Sequence, residues 1–493
     1  MAKKCFDNKK YLKLQSEKIL ERVNSFGDKL YIEFGGKIFD DYHASRTLRG
    51  FEIDSKVKVL SKLKDKVEIV IVINAEDVQT YKSRSDIGIT YESDTLRLID
   101  EFEKIGLYVG GVTITQYNNQ YLTDIFIKKL KNLGIKTYLH YRIDNYPFDI
   151  DNILSDNGFG KNDYIETTRP IVVITAPGPG SGKMATCLSQ LYHENIRGIK
   201  AGYAKYETFP IWNLPLKHPV NLAYEAATAD LQDVNMIDYF HLENYNISAV
   251  NYNRDLEVFP VLKKIFEKIY GASPYQSPTD MGVNMAGFAI ADDEAARETS
   301  KQEIIRRYLD AQCNLKLGKI SQETVDKISL IMEGLNISID DRKCVKPALK
   351  EGERKGKPCV AISLPNGKII TGKKSTLFEA TSAALINSLK YFAKIADDMP
   401  LLSPSILEPI QNLKGILLKN SSKRLYLDEV LIALAINATT NAMAQRALEQ
   451  LPKLAGSQLH STVMLHHDDI NTLKKLKIDV TTETTQDTKL LQR

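Results

Sequence analysis

The sequence predicts an α/β protein with three parts. A largely parallel sheet domain with helices on both faces spans 1–290, a helical segment and linker spans 291–350, and a smaller C-terminal α/β domain spans 351–493. Three observations lead there. Strand-like and helix-like patterns alternate through the first 290 residues, as consecutive β-α-β units require. The run "IVIVI" (69–73) is apolar on both strand faces, the signature of a strand covered on both sides. At 493 residues the chain is also too long for a single hydrophobic core.

In chain order, "KLYIEF" (29–34), "VEIVIVIN" (67–74), "GLYVGGVTIT" (106–115), "IKTYLHY" (135–141) and "PIVVITA" (170–176) are predicted strands. Between them, "SDTLRLIDEFEKI" (93–105) and "LTDIFIKKLKNL" (122–133) place apolar residues at helical spacing. Residues 292–335 are mainly helical in pattern. "KPALKEGERKGKP" (346–358) is charged, holds two prolines and two glycines, and lacks apolar periodicity, so it reads as a linker. "CVAISLPNGKIITG" (359–372) is a hairpin turning at Asn366-Gly367. A long helix (375–396), further helices and a short strand, "HSTVML" (460–465), follow, and the polar tail 481–493 is expected to fray.

Composition narrows the function classes. The formal net charge is only +4 and the basic residues are dispersed, unlike a surface that neutralises a nucleic-acid backbone. No apolar segment follows the N-terminal lysines as in a secretory signal, and the apolar runs are too short to span a bilayer. Five widely separated cysteines, without zinc-finger or CxxC spacing, fit reduced thiols. The expectation is a cytoplasmic protein without nucleic-acid or membrane partners, and a homo-oligomer is compatible with these features.

"PIVVITAPGPGSGKMATCLSQ" (170–190) carries the chemistry. A strand ends, glycines free the backbone N–H groups to converge, and a helix begins, so that loose donors and the helix dipole meet at one point. Lys183 follows the last glycine, as the lysine of a P-loop does. The match to G-x-x-x-x-G-K-[ST] is incomplete: Pro177 occupies the first glycine position, and Met184 replaces the hydroxyl that binds magnesium. Thr186 lies roughly 200° further round the helix, so it does not simply replace that hydroxyl. Gly178, Gly180, Ser181, Gly182, Lys183 and Thr186 form the predicted anion-binding set. A rigid proline–glycine connector with a solvated lysine is the competing explanation.

Other segments offer weaker candidates. "YIEFGGKIFDDYHASR" (31–46) is a second strand-to-glycine transition, followed by Lys37, Asp40, Asp41, His43 and Arg46. In "SPTDMGVNMAG" (277–287), Asp280 is either an acid for proton or metal work or a cap, and Asn284 is a candidate substrate contact. The aromatic, proline-rich stretch 201–230 suggests a substrate loop, with Lys205, Glu207 and His218 as contacts. Asp238 reads as a cap or turn acid. The histidines of "HSTVMLHHDD" (460–469) read as an exposed strand end rather than a metal site, and no metal ligands are assigned.

"KLYIEFGGKIFDDYHASR", "APGPGSGKMATCLSQLYH", "FPIWNLPLKHPVNLAYEAATADL" and "SPTDMGVNMAG" resemble a bacterial family of similar length, catalogued as domain of unknown function eighteen-forty-six. The likeness covers essentially the whole chain. It implies an N-terminal α/β part, a helical part and a C-terminal α/β subdomain, but no established activity. Some members carry the label ATP-dependent peptidase, yet no protease nucleophile signature or HExxH motif occurs here. The C-terminal part also looks like the cytidine-deaminase layering of hairpin, long helix and further strands. It lacks the zinc ligands, since neither His nor Cys precedes Glu379 and no P-C-x-x-C occurs. The leading expectation is an enzyme that binds ATP or another phosphorylated ligand, with magnesium open and with Lys183 and Asp280 in catalytic roles. The alternative is a non-catalytic sensor or scaffold for a phosphorylated metabolite.

Overall fold

A computed structural model describes residues 4–27, 29–39, 41–84, 88–419 and 422–486. The chain divides into two compact units: Lys4–Glu225 with Gln232–Ser300, and Ala226–Leu231 with Lys301–Arg493.

The first unit is built on six parallel strands, β1 (Leu30–Phe34), β2 (Val67–Asn74), β3 (Tyr108–Tyr117), β4 (Thr137–Tyr141), β5 (Ile171–Thr175) and β6 (Gly202–Tyr206). Their order across the sheet is β4-β3-β2-β5-β1-β6. Alternation along each strand feeds two cores. Ile69, Ile71, Ile73, Ile171 and Val173 pack with helices Asn8–Ser25, Ser55–Lys62, Tyr91–Lys104 and Tyr121–Asn132 on one face. Val70, Val72, Val172 and Ile174 pack with helices Lys183–Ile196 and Asn253–Tyr270 on the other. Each aliphatic side chain buried this way contributes about 1.5–3 kcal/mol relative to exposure. The sheet is therefore doubly wound, as "IVIVI" required. Segment 202–206, expected within an irregular substrate loop, is instead the edge strand β6. Its outer side is covered by residues 282–284, with Val283 N donating to Lys205 O at 3.0 Å.

The second unit holds a four-stranded sheet, β10-β9-β11-β12, and a separate hairpin in the first unit supplies β7 (Asn235–Ile237) and β8 (Val250–Tyr252). β9 (Cys359–Ser363) and β10 (Ile369–Lys373) form the expected hairpin, with Gly367 at φ +84° in the turn. β11 (Gln458–Ser461) runs antiparallel to β9 and parallel to β12 (Asp479–Thr482). Helix Ala380–Ala393 packs so closely on β10 that a Cβ at Gly372 would lie 2.1 Å from Ala384 N.

The linker expected over 346–358 is absent: Val345–Lys355 is a helix that buries Val345 and Ala348. Pro347 falls in its first turn, where a missing N–H costs no intrahelical bond. Gly356 ends it in the left-handed conformation (φ +57°). Only two of its apolar residues, Val345 and Ala348, are buried, too few to register as periodicity.

Candidate functional site

The chain leaves β1 through helix Ser55–Lys62 on one face and leaves β5 through helix Lys183–Ile196 on the other. β1 and β5 are neighbours, with Leu30 opposite Ile171. Their carboxyl ends thus flank the topological switch point, where an open α/β sheet parts to form a ligand crevice. Both strands end in glycine there, Gly35-Gly36 after β1 and the 178–182 loop after β5.

The loop is braced through its carbonyls. Ser181 Oγ donates to Gly178 O (2.8 Å), Asn74 Nδ2 to Gly180 O (3.4 Å), Thr115 Oγ1 to Ser181 O (2.7 Å), and Thr186 Oγ1 to Gly182 O (3.0 Å). The N–H groups of Gly180, Ser181, Gly182 and Lys183 donate to no acceptor among the described residues. Gly180 (φ +73°) and Gly182 (φ +87°) are left-handed on either side of Ser181, an alternation that makes concave anion-binding runs of N–H groups. A Cβ at Gly178 would lie 2.1 Å from the Tyr91 hydroxyl, so a side chain there would force that ring to move. Lys183 opens the helix and has no hydrogen-bond or ion-pair partner among the described residues.

Beside the loop, the second face of the sheet carries a charged cluster. Glu33 on β1 is 8% exposed and sits opposite Lys205 on β6. Tyr203 Oη donates to Glu33 Oε2 at 2.6 Å, and Glu33 Oε1 accepts nothing among the described residues. Lys205 Nζ lies 2.6 Å from Asp255 Oδ2, on helix Asn253–Tyr270, and 3.4 Å from Glu207 Oε2. Glu207 folds over Gly35, where a Cβ would come within 2.1 Å of its Cγ. Its carboxylate accepts no hydrogen bond among the described residues. Burial raises the Glu207 pKa, opposed by Lys205 and reinforced by Asp255 and Glu33. Burial alone would lower that of Lys205, but Asp255, Glu207 and Glu33 outweigh it and hold the lysine charged. Cys187, one turn into the loop helix, is pushed well up by burial and by Glu33, with Lys183 opposing. Lys183 and Glu33 thus act on one thiol, and both act on Glu207.

The amino-terminal and carboxy-terminal profiles described as domain of unknown function DUF1846 match residues 4–336 and 340–491. The curated "UPF0371 protein" of Streptococcus pneumoniae strain Hungary19A-6 and that of strain CGSP14 are each 56% identical over 481 residues, covering 98% of this chain and 97% of each relative. The chain belongs to the DUF1846 family.

In this DUF1846 member, Lys205 and Glu207 pair at the end of β6 and Lys183 opens the helix that follows the glycine loop, while other predicted residues lie in other roles. The hydroxyls of Ser181 and Thr186 brace the loop. Asp280 closes the capping box of helix Pro278–Met281, accepting from Ser277 N (3.0 Å), Gln276 N (2.8 Å) and Tyr245 Oη (2.9 Å). Asn284 is a buried tie, donating to Thr208 O (2.7 Å) and accepting from Ala286 N (2.9 Å). His218 is buried, accepting from Val220 N on one ring nitrogen and bonding Asp293 Oδ1 (2.9 Å) with the other. Asp238 caps helix Tyr239–Tyr245. Asp41 caps helix Tyr42–Thr47 and pairs with buried Lys56 at 3.0 Å, and Lys56 also donates to Gly35 O and Lys37 O. Asp40 lies outside the described residues. His43 packs edge-on against Phe209 and Tyr224. His460, expected at an exposed strand end, is fully buried between Thr481 and Glu483. Among the described residues no cluster of three or more His, Cys, Asp or Glu suits a metal, and no helix is long and apolar enough to cross a membrane.

Two members of the DUF1846 cluster, Glu33 and Asp255, escaped sequence reading. Glu33 had a signal: a single carboxylate inside the otherwise apolar strand "LYIEF". Asp255 had none, because an acid in a first helical turn is ordinary.

Proposed function

We propose that the protein binds a phosphorylated small molecule at the β1/β5 crevice. The N–H groups of Gly180 to Lys183 take the phosphate oxygens, and the Lys183 ammonium neutralises their charge. One observation carries this reading: four consecutive N–H groups without acceptors among the described residues, in a loop where the carbonyls of Gly178, Gly180, Ser181 and Gly182 are held by side-chain donors. A mere connector has no need of that one-sided bracing. The switch-point location and the unpaired lysine support the same reading.

Phosphoryl transfer or hydrolysis suits such a site, with ATP the first nucleotide to try. Met184 favours a second reading, a sensor that binds without turnover, because no hydroxyl follows Lys183 to hold magnesium. A thermal-shift panel of nucleotides and phosphorylated metabolites, on wild type and Lys183→Ala, tests the binding claim. A ligand at a hundred times its Kd stabilises by about 2.7 kcal/mol, or about 4–5 °C in Tm for a unit of this size. Lys183→Ala is expected to abolish the shift. A shift that survives it moves the site elsewhere. Turnover of labelled nucleotide then separates enzyme from sensor.

A further inference from the structure

The acid groups beside the loop restrict what the phosphate can be attached to. Glu33 is more than nine-tenths buried, yet one of its oxygens has no donor among the described residues. Glu207 has a charged neighbour, Lys205, and no hydrogen-bond donor. Lys205 is itself committed to Asp255 at 2.6 Å. Three carboxylates, Glu33, Glu207 and Asp255, therefore stand against one ammonium on β1, β6 and helix Asn253–Tyr270. The free oxygens of Glu33 and Glu207 are not sealed from water, so a ligand hydroxyl that donates to them takes the place of water. Further phosphates placed there meet like charge.

We infer that the ligand is a phosphate monoester of a hydroxyl-bearing compound, its phosphate on the 180–183 amides and its hydroxyls donating to Glu207 and Glu33. This rests on the phosphate reading above and goes beyond it by assigning the organic half of the ligand. The loop and the carboxylates stand at the carboxyl ends of adjacent strands: Glu33 on β1 lies opposite Ile174 at the end of β5, which leads into the loop, and Glu207 folds over Gly35 at the end of β1. The acid side of the crevice selects against a triphosphate, so a sugar phosphate or nucleoside monophosphate binds better than ATP.

Isothermal titration of the full chain with inorganic phosphate, ribose 5-phosphate and ATP tests this. Ribose 5-phosphate is expected to bind at least about tenfold more tightly than either of the others, the scale of one charge-assisted hydrogen bond. Glu207→Gln keeps the shape and removes the charge. It is expected to weaken ribose 5-phosphate about tenfold while leaving inorganic phosphate within about twofold, and Glu207→Ala is expected to do the same. Equal binding of phosphate and sugar phosphate, tightest binding of ATP, or an equal loss of both ligands in Glu207→Gln overturns the inference and leaves the loop reading intact. Absence of binding by all three, or binding undiminished in Lys183→Ala, overturns the loop reading instead.

Discussion

Two buried glutamates show how position along a strand decides a residue's role. Glu68 lies near the amino end of β2, where it accepts from Thr168 N (2.7 Å), Thr168 Oγ1 (3.2 Å) and Arg169 N (3.2 Å) and locks a loop. Glu33 lies at the carboxyl end of β1, where the oxygen that Tyr203 leaves free is not sealed from water, whereas Glu68 keeps its own free oxygen, Oε1, buried. The glycines beneath make residue-scale predictions. Gly35→Ala drives a methyl into Glu207 and is expected to cost about 1–3 kcal/mol in urea denaturation, while weakening sugar-phosphate binding by displacing that carboxylate. Gly180→Ala meets no neighbouring atom, so its cost is conformational, about 1–2 kcal/mol for a left-handed residue with a Cβ. His140 on β4 supplies a pH test. It is 3% exposed and bonds the Asp163 carbonyl, and burial pushes its pKa down from 6.5 to about 3, the carbonyl opposing and His193 adding to the fall. Below pH 6.5 the unfolded chain takes up a proton that the folded chain refuses until near pH 3, so stability falls as pH falls through that window. The loss is about 2 kcal/mol between pH 7 and pH 5. Comparing urea midpoints at the two pH values in wild type and His140→Gln should show that difference shrink by about the same amount.

At the scale of elements, the strands were legible because their apolar runs are dense. β2 matches its expected span, 67–74, and β5 its run "IVVIT". Helix Val345–Lys355 was illegible for the opposite reason: its few apolar anchors are outnumbered by charge, and its proline and glycines punctuate a helix rather than a linker. β6 was hidden by aromatics and a lysine, which an edge strand tolerates more readily than a central one. The glycine loop was visible as a pattern, but the convergence of Glu33, Lys205, Glu207 and Asp255 depends on placing β6 beside β1, a pairing 170 residues apart that no local signal carries. Asp280 illustrates a local element mistaken for a site. Asp280→Ala is expected to cost about 0.5–2 kcal/mol through loss of its capping box, measured by thermal denaturation, and to leave phosphate-ligand affinity unchanged.

Across the whole molecule, each unit has a hydrophobic core of its own, and the residues of the proposed phosphate site all belong to the first. Trp212, the single tryptophan, also lies in that first unit, so its fluorescence reports there. Leu434→Ala, in the core of the second unit, is expected to cost about 2–5 kcal/mol. Far-UV circular dichroism should then show an earlier transition in urea that tryptophan fluorescence does not follow. A single shared transition would show the two cores melting as one. The claim on which the functional account rests is that the Gly180 to Lys183 amides receive an oxyanion, and amide NMR on glycine-labelled protein tests it most directly. Titration with ribose 5-phosphate is predicted to move the Gly180 and Gly182 N–H resonances saturably, and Lys183→Ala to suppress the movement. Resonances that stay fixed while others respond would contradict it.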